Sequence, residues 1–301
     1  MNIRMACLAA SLLALGTVMP LAAQESDRPI VVCSTTQVAD FTRQVVGDRW
    51  EVKCILAPGQ DPHLYQITPR DAEMIASADL CLENGWHLEG KDWMRTLAAD
   101  AGKPIATCIT GIKPVELEDK GITINDPHGW FTPKNAAVYV RNIAHAVSQI
   151  DPDNKEEYEA RAELYLEELR ALHIWIVRQC NAIPANKRIL VTSHDAFNYF
   201  CGEYGFEARS PAGWSTGQEI GGGITPARKR ETIESIRSFG VKAIFVETSV
   251  NPMLIEEIAS EAGVKVGGTL YSDSMGGPDT AGETYIGMMR ENVLTIVGAL
   301  K

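Results

Sequence analysis

One stretch of this sequence constrains its fold more than any other. From Asp153 to Cys180 no glycine or proline interrupts the chain, and Asp151-Pro152 stands before the stretch as a helix start. Glu156 and Glu157 fall in the first turn, where acids complement the helix dipole. Tyr158, Ala162, Tyr165, Leu169, Leu172 and Ile176 recur at spacings of four and three, which draws one continuous apolar stripe along a helix. Such a helix reaches about 43 Å at about 1.5 Å per residue, long enough to run beside two small lobes.

On either side of this helix the chain alternates short apolar runs with helical stretches. Ile30-Thr36, Val52-Leu56, Asp79-Glu83 and Pro104-Ile109 read as strands before it, and Arg188-Ser193, Phe206-Ser210, Ala243-Glu247 and Lys265-Leu270 after it. Thr68-Pro69-Arg70-Asp71 and Thr132-Pro133 read as helix starts, as does Thr225-Pro226, and Thr284 to Leu300 reads as a closing helix. Alternation of this kind argues for parallel βαβ units. The expectation is an α/β protein of two doubly wound, four-stranded parallel-sheet lobes, residues 24–150 and 181–301, joined by one long interlobe helix over 151–180. That helix reads as the only continuous connection between the lobes, and the layout implies a cleft.

Residues 1–23 read as a secretory signal peptide. Arg4 gives a positive start, Cys7 to Leu21 is apolar and small, and Leu21-Ala22-Ala23 offers a cleavage site near Ala23. Gly16 and Pro20 interrupt a run already short of the ~20 residues that span a bilayer. Arg4 also disfavours lipid attachment at Cys7, so the expectation is a periplasmic monomer with no stable membrane insertion. The six remaining cysteines, Cys33, Cys54, Cys81, Cys108, Cys180 and Cys201, form no C-x-x-C pair. In an oxidising compartment disulfides are allowed in any of several pairings, but the apolar settings favour buried structural sulfur over a thiolate metal site. A formal net charge of -11 with a pI near 5.1 excludes a protein that holds nucleic acid by neutralising phosphates.

Of the six histidines, three sit in turn-like contexts at strand exits: His63 in Gly59-Gln60-Asp61-Pro62-His63, His128 in Asn125-Asp126-Pro127-His128, and His194 in Ser193-His194-Asp195. Asp273 in Tyr271-Ser272-Asp273-Ser274 follows the last strand in the same way. In open α/β sheets ligands collect beyond the carboxyl ends of the strands. Three neutral imidazoles and a carboxylate, two from each lobe, suit one first-row divalent metal ion. Glu247, ending a strand, reads equally as an acceptor for a ligand imidazole or as a plain strand-end acid. His87, His145 and His173 read as structural or surface residues.

These residues carry a resemblance over nearly the whole exported chain. It resembles the metal-binding solute-binding proteins of zinc and manganese ABC importers, the family of zinc-uptake proteins and manganese-binding lipoprotein adhesins. Pro58-Gly59-Gln60-Asp61-Pro62-His63, Asp126-Pro127-His128-Gly129-Trp130-Phe131, Ser193-His194-Asp195-Ala196-Phe197 and Tyr271-Ser272-Asp273-Ser274-Met275-Gly276 are similar to its four ligand loops, and Phe245-Val246-Glu247-Thr248-Ser249 to its seventh strand. The resemblance implies a protein that captures Zn2+ or Mn2+ as transported ligand and delivers it to the permease transmembrane subunit. Zinc-type members often carry a long His-rich loop before the second ligand, whereas Val115 to Asp126 here is short and holds no histidine. His194, in contrast, stands where manganese-type members have a glutamate. The two signals point in opposite directions, and some members with this ligand set take both metals.

Two other readings compete. A zinc hydrolase needs an open coordination position, which a fourth protein ligand closes, and no H-E-x-x-H helix is present. A surface adhesin needs an exposed apolar patch or an anchor, and the sequence shows neither. If histidines dominate the site, metal retention fails as pH falls towards about 5, because protons compete for imidazoles with ordinary values near ~6.5.

Overall fold

In the computed structural model, residues 28–90, 92–119, 122–211, 226–248 and 252–301 are described. The expected leader with Cys7, and also Thr225 and Ser249, fall outside them. β1 (Ile30–Cys33), β2 (Glu51–Cys54), β3 (Leu80–Glu83) and β4 (Ile105–Thr107) form one parallel sheet in the order β2-β1-β3-β4. Side chains alternate across it. Val31, Cys33, Leu80 and Leu82 join the inner core, whereas Val32 and Cys81 face the opposite side.

Helices cover both faces. α1 (Thr36–Val46), α4 (Pro133–Ile150) and α5 (Lys155–Cys180) pack on the inner side; α2 (Pro69–Ala76) and α3 (Trp93–Asp100) cover the outer one. The expected starts hold where turn chemistry is local. Asp71 Oδ2 accepts from the Thr68 backbone N–H at 2.7 Å and from its hydroxyl at 2.9 Å, and the Thr132 hydroxyl accepts from Asn135 N at 3.1 Å. α5 begins four residues later than expected because Pro152–Asn154 forms a 3-10 turn, and at 26 residues it still buries every member of the predicted stripe.

Between β4 and α4 lies an antiparallel hairpin, β5 (Glu116–Asp119) and β6 (Ile122–Asn125), where sequence reasoning expected a short loop. Its signal in the sequence is short. Leu117, Ile122 and Ile124 alternate with polar residues around Lys120-Gly121, the period of a two-stranded ribbon.

In the second half β7 (Ile189–Val191) pairs with β8 (Glu207–Arg209), and β9 (Ala243–Glu247) pairs with β10 (Lys265–Leu270), both parallel. The four expected strands are thus present as two hydrogen-bonded pairs, with β7 lying beside β9. α7 (Pro226–Ser238) and α8 (Pro252–Ala262) cover one face, and α6 (Asn198–Tyr204) and α9 (Tyr285–Leu300) the other.

One expectation fails. α5 is not the sole continuous connection, because the inner core runs without interruption from Val31 through Tyr165 and Phe197 to Val297. α9 packs on both α5 and α1, with Phe41 edge-on to Tyr285 at 4.8 Å, and the Asp40 carboxylate accepts the Tyr285 backbone N–H at 3.0 Å. Burying apolar faces of α9 against the first half stabilises more than exposing them to a solvated cleft, at about 1.5–3 kcal/mol per large side chain.

Candidate metal centre

His63 and His128 are set by the same local device. Each ends an Asp-Pro-His tripeptide in which the aspartate turns back to accept the histidine's own backbone N–H: Asp61 Oδ1 from His63 at 2.8 Å, and Asp126 Oδ1 from His128 at 2.9 Å. Such Asx turns fix the loop without help from a sheet. The surroundings then hold each loop. The Asn84 amide, at the end of β3, donates to Pro127 O at 3.0 Å, and the Tyr139 hydroxyl donates to Asn84 Oδ1 at 2.6 Å. Beneath His63 passes Gly90, at φ 33°, where a Cβ would stand 2.5 Å from the His63 carbonyl oxygen. Only glycine fits that approach.

The second half supplies the rest. His194 lies three residues beyond β7, and Asp273 three beyond β10. The Asp273 loop is bound to α1 and to the His63 loop: Gln37 Nε2 donates to Ser272 O at 2.9 Å, the Met275 backbone N–H donates to the Thr36 hydroxyl at 2.9 Å, and Gly59 N–H donates to the Ser274 hydroxyl.

One donor atom from each of His63, His128, His194 and Asp273 lies within 4.8 Å of all the others. His63 Nε2 stands 3.2 Å from His128 Nε2, while Asp273 reaches His128 Nε2 with Oδ1 and His194 Nε2 with Oδ2, each at 3.3 Å. His194 Nε2 and Asp273 Oδ1 are buried with no hydrogen-bond partner among the described residues. Ligands on a tetrahedral ion with bonds of about 2.0–2.1 Å sit about 3.3 Å apart, so this spacing fits an ion better than it fits a packed core. The histidines His87 and His145 are exposed, and His173 lies beside Tyr204 and Glu203; none of the three belongs to this cluster.

The far nitrogens of two rings point to buried carboxylates. His128 Nδ1 lies 2.7 Å from Asp126 Oδ1, and His194 Nδ1 lies 2.6 Å from Glu247 Oε2. Glu247 also accepts from the His194 backbone N–H and the Ser193 hydroxyl, each at 3.0 Å. Partners of this kind fix which ring nitrogen is free to ligate. Sequence reasoning weighed Glu247 but gave Asp126 no role, although the repeated Asp-Pro-His was the available signal.

Charge in the cluster follows from burial and these carboxylates. Burial pushes the His63 imidazole down to about 3. Burial also works against a charge on His128, but Asp126 and Asp273 outweigh it and raise the ring to about 9. His194 rises in the same way, with Asp273 and Glu247 overcoming its burial, and the two rings in turn hold Asp273 well below the usual carboxylate range despite its burial.

Among the described residues the six cysteines are free thiols, buried except for the half-buried Cys54. Among the described residues no helix is long and apolar enough to cross a membrane.

Similarity to known proteins follows the same outline. The manganese-binding lipoprotein MntA of Bacillus subtilis is 36% identical over 290 residues, covering 93% of this chain and 92% of that one. The iron-binding protein YfeA of Yersinia pestis is 34% identical over 267 residues, 88% and 84% of the two chains. The structure of the periplasmic zinc-binding protein TroA from Treponema pallidum superposes with a TM-score of 0.82 at 31% identity, covering 91% of this chain and 99% of its own. The family profile described as zinc-uptake complex component A, periplasmic, matches residues 31–299, and with all four loops and the long helix inside that span, the chain belongs to this family.

Proposed function

We propose that this protein captures one divalent transition-metal ion, zinc or manganese, at His63, His128, His194 and Asp273 and presents it to the transmembrane subunit of an ABC importer. The convergence of three imidazole nitrogens and one carboxylate on a space the size of one ion carries this reading. Relatives with closely similar chains are named for manganese, zinc and iron, consistent with a site whose geometry admits more than one first-row ion. Three imidazoles place zinc ahead of manganese in affinity, since nitrogen-rich sites follow the general stability order of these ions.

The cargo is carried by a two-lobed chain, residues 24–150 and 181–301 with the helix region 151–180 between them. Export removes residues 1–23 near Ala23 and leaves the protein periplasmic, acting as a monomer. Intact-mass measurement of the exported protein tests the leader: a start near Gln24 supports it, and a retained leader or an added acyl mass contradicts it.

Competitive titration of chelator-stripped protein with zinc and with manganese tests the site. One ion per chain is expected, with Asp273→Ala weakening zinc affinity by at least about 100-fold, beyond the range typical for partners of ligands. His87→Ala, on an exposed loop, is expected to leave it unchanged. Equal effects of the two substitutions would show that the ion sits elsewhere.

A further inference from the structure

One carboxylate joins ligand loops that come from different halves of the chain. Asp126 Oδ1 serves His128, through both the backbone N–H at 2.9 Å and the ring Nδ1 at 2.7 Å. Its other oxygen, Oδ2, accepts from Asn198 Nδ2 at 3.0 Å, and its backbone carbonyl accepts from the Tyr199 hydroxyl at 3.0 Å. Asn198 and Tyr199 open α6, directly after the His194 loop. Asn198 Nδ2 donates a second time, to the carbonyl of Asp195 beside His194. The Tyr199 oxygen accepts from the Val115 backbone N–H at 3.1 Å, and Phe197 stacks on Phe131 with ring centroids 4.1 Å apart.

Two acceptors on one amide nitrogen settle which end of the Asn198 side chain faces Asp126. Both Asp126 and His128 are fully buried, so no water stands ready to replace a lost donor. A carboxylate held at one oxygen only can swing about its own bond, and the ring it orients swings with it. His194 differs, because its carboxylate partner, Glu247, belongs to its own half.

We propose that Asn198 is a positioning residue. By holding Asp126 at Oδ2 it keeps the His128 ring aimed at the ion and couples that ring to the His194 loop. The inference rests on His128 and His194 being ligands as read above.

The test exchanges the partners, with zinc chloride titrated into chelator-stripped protein against a competing chromophoric chelator. Asn198→Ala removes the donor and is expected to weaken zinc affinity about tenfold, at the low end for partners of ligands. Asn198→Asp sets a second carboxylate against Asp126 Oδ2 and is expected to weaken it further. In the double variant Asp126→Asn with Asn198→Asp, the new amide at 126 donates to the new carboxylate at 198 and still accepts from His128 through oxygen. That variant is expected to regain about tenfold over Asn198→Asp alone.

Imidazole resonances of the metal-free proteins give a readout apart from affinity, with His128 perturbed in both single variants at position 198, where Asp126 itself is kept. If wild type binds zinc while the Asn198 variants match it, this inference fails alone. Losses in Asp126→Asn alone and Asn198→Asp alone that simply multiply in the double variant also overturn it. If wild type binds no zinc, the metal reading fails and this one with it.

Discussion

His128 shows how much of the chemistry is set by single side chains. Its ring is fully buried between Asp126 and Asp273, and their charges outweigh the cost of burial and hold it protonated up to about 9. His194 is raised likewise, while burial keeps His63 neutral above about 3. At neutral pH the proposed site without metal therefore carries two imidazolium rings, and an entering cation would displace a proton from each. Affinity accordingly increases with pH up to at least about 9, in contrast to the fall confined below ~6.5 that free imidazoles suggest. The same shift stabilises the metal-free fold: for His128 that contribution is fully present below ~6.5, its unfolded value, and is lost as pH rises through about 9. Calorimetry of zinc binding at pH 7 in buffers of different protonation enthalpy is expected to read close to two protons released per ion. A release near zero would mean that the rings are already neutral in the empty site.

At the scale of elements, what was legible in the sequence is what local chemistry determines. Thr68, Thr132 and Thr284 mark true helix starts because a threonine before proline or a first-turn donor acts within three residues. The α5 stripe was legible because one face of a helix repeats at fixed spacing. The β5–β6 hairpin was passed over although Leu117, Ile122 and Ile124 alternate, since four-residue strands give a weak signal. For Asp126 the repeated Asp-Pro-His marks the local link to His128, whereas its tie to Asn198 and Tyr199 is illegible because these lie more than seventy positions away in sequence. Gly90 belongs here too, because its role arises only where the loop after β3 passes under His63. Gly90→Ala is expected to cost about 1–3 kcal/mol, as for enforced close contacts, and to displace the His63 loop. Thermal unfolding with parallel zinc titration checks this, and unchanged values in both would show that the loop yields freely.

Across the whole molecule, the two halves share one core instead of hanging from one helix. α9 lies on α1 and α5, and the Asp273 loop is bound to Thr36, Gln37 and Gly59 of the first half. A wide hinge opening would expose that core at about 25 cal/mol per Å2 of apolar surface, more than a few loop contacts to an ion can offset. Small-angle scattering of stripped and zinc-loaded protein is expected to give nearly equal radii of gyration. A large fall on loading would refute the shared-core account.

Anomalous diffraction from crystals of the stripped protein soaked in zinc decides whether the four proposed side chains surround one ion. A single strong zinc peak per chain is expected, bounded by the Nε2 atoms of His63, His128 and His194 and a carboxylate oxygen of Asp273. A peak at other residues, or none at these four, would contradict it.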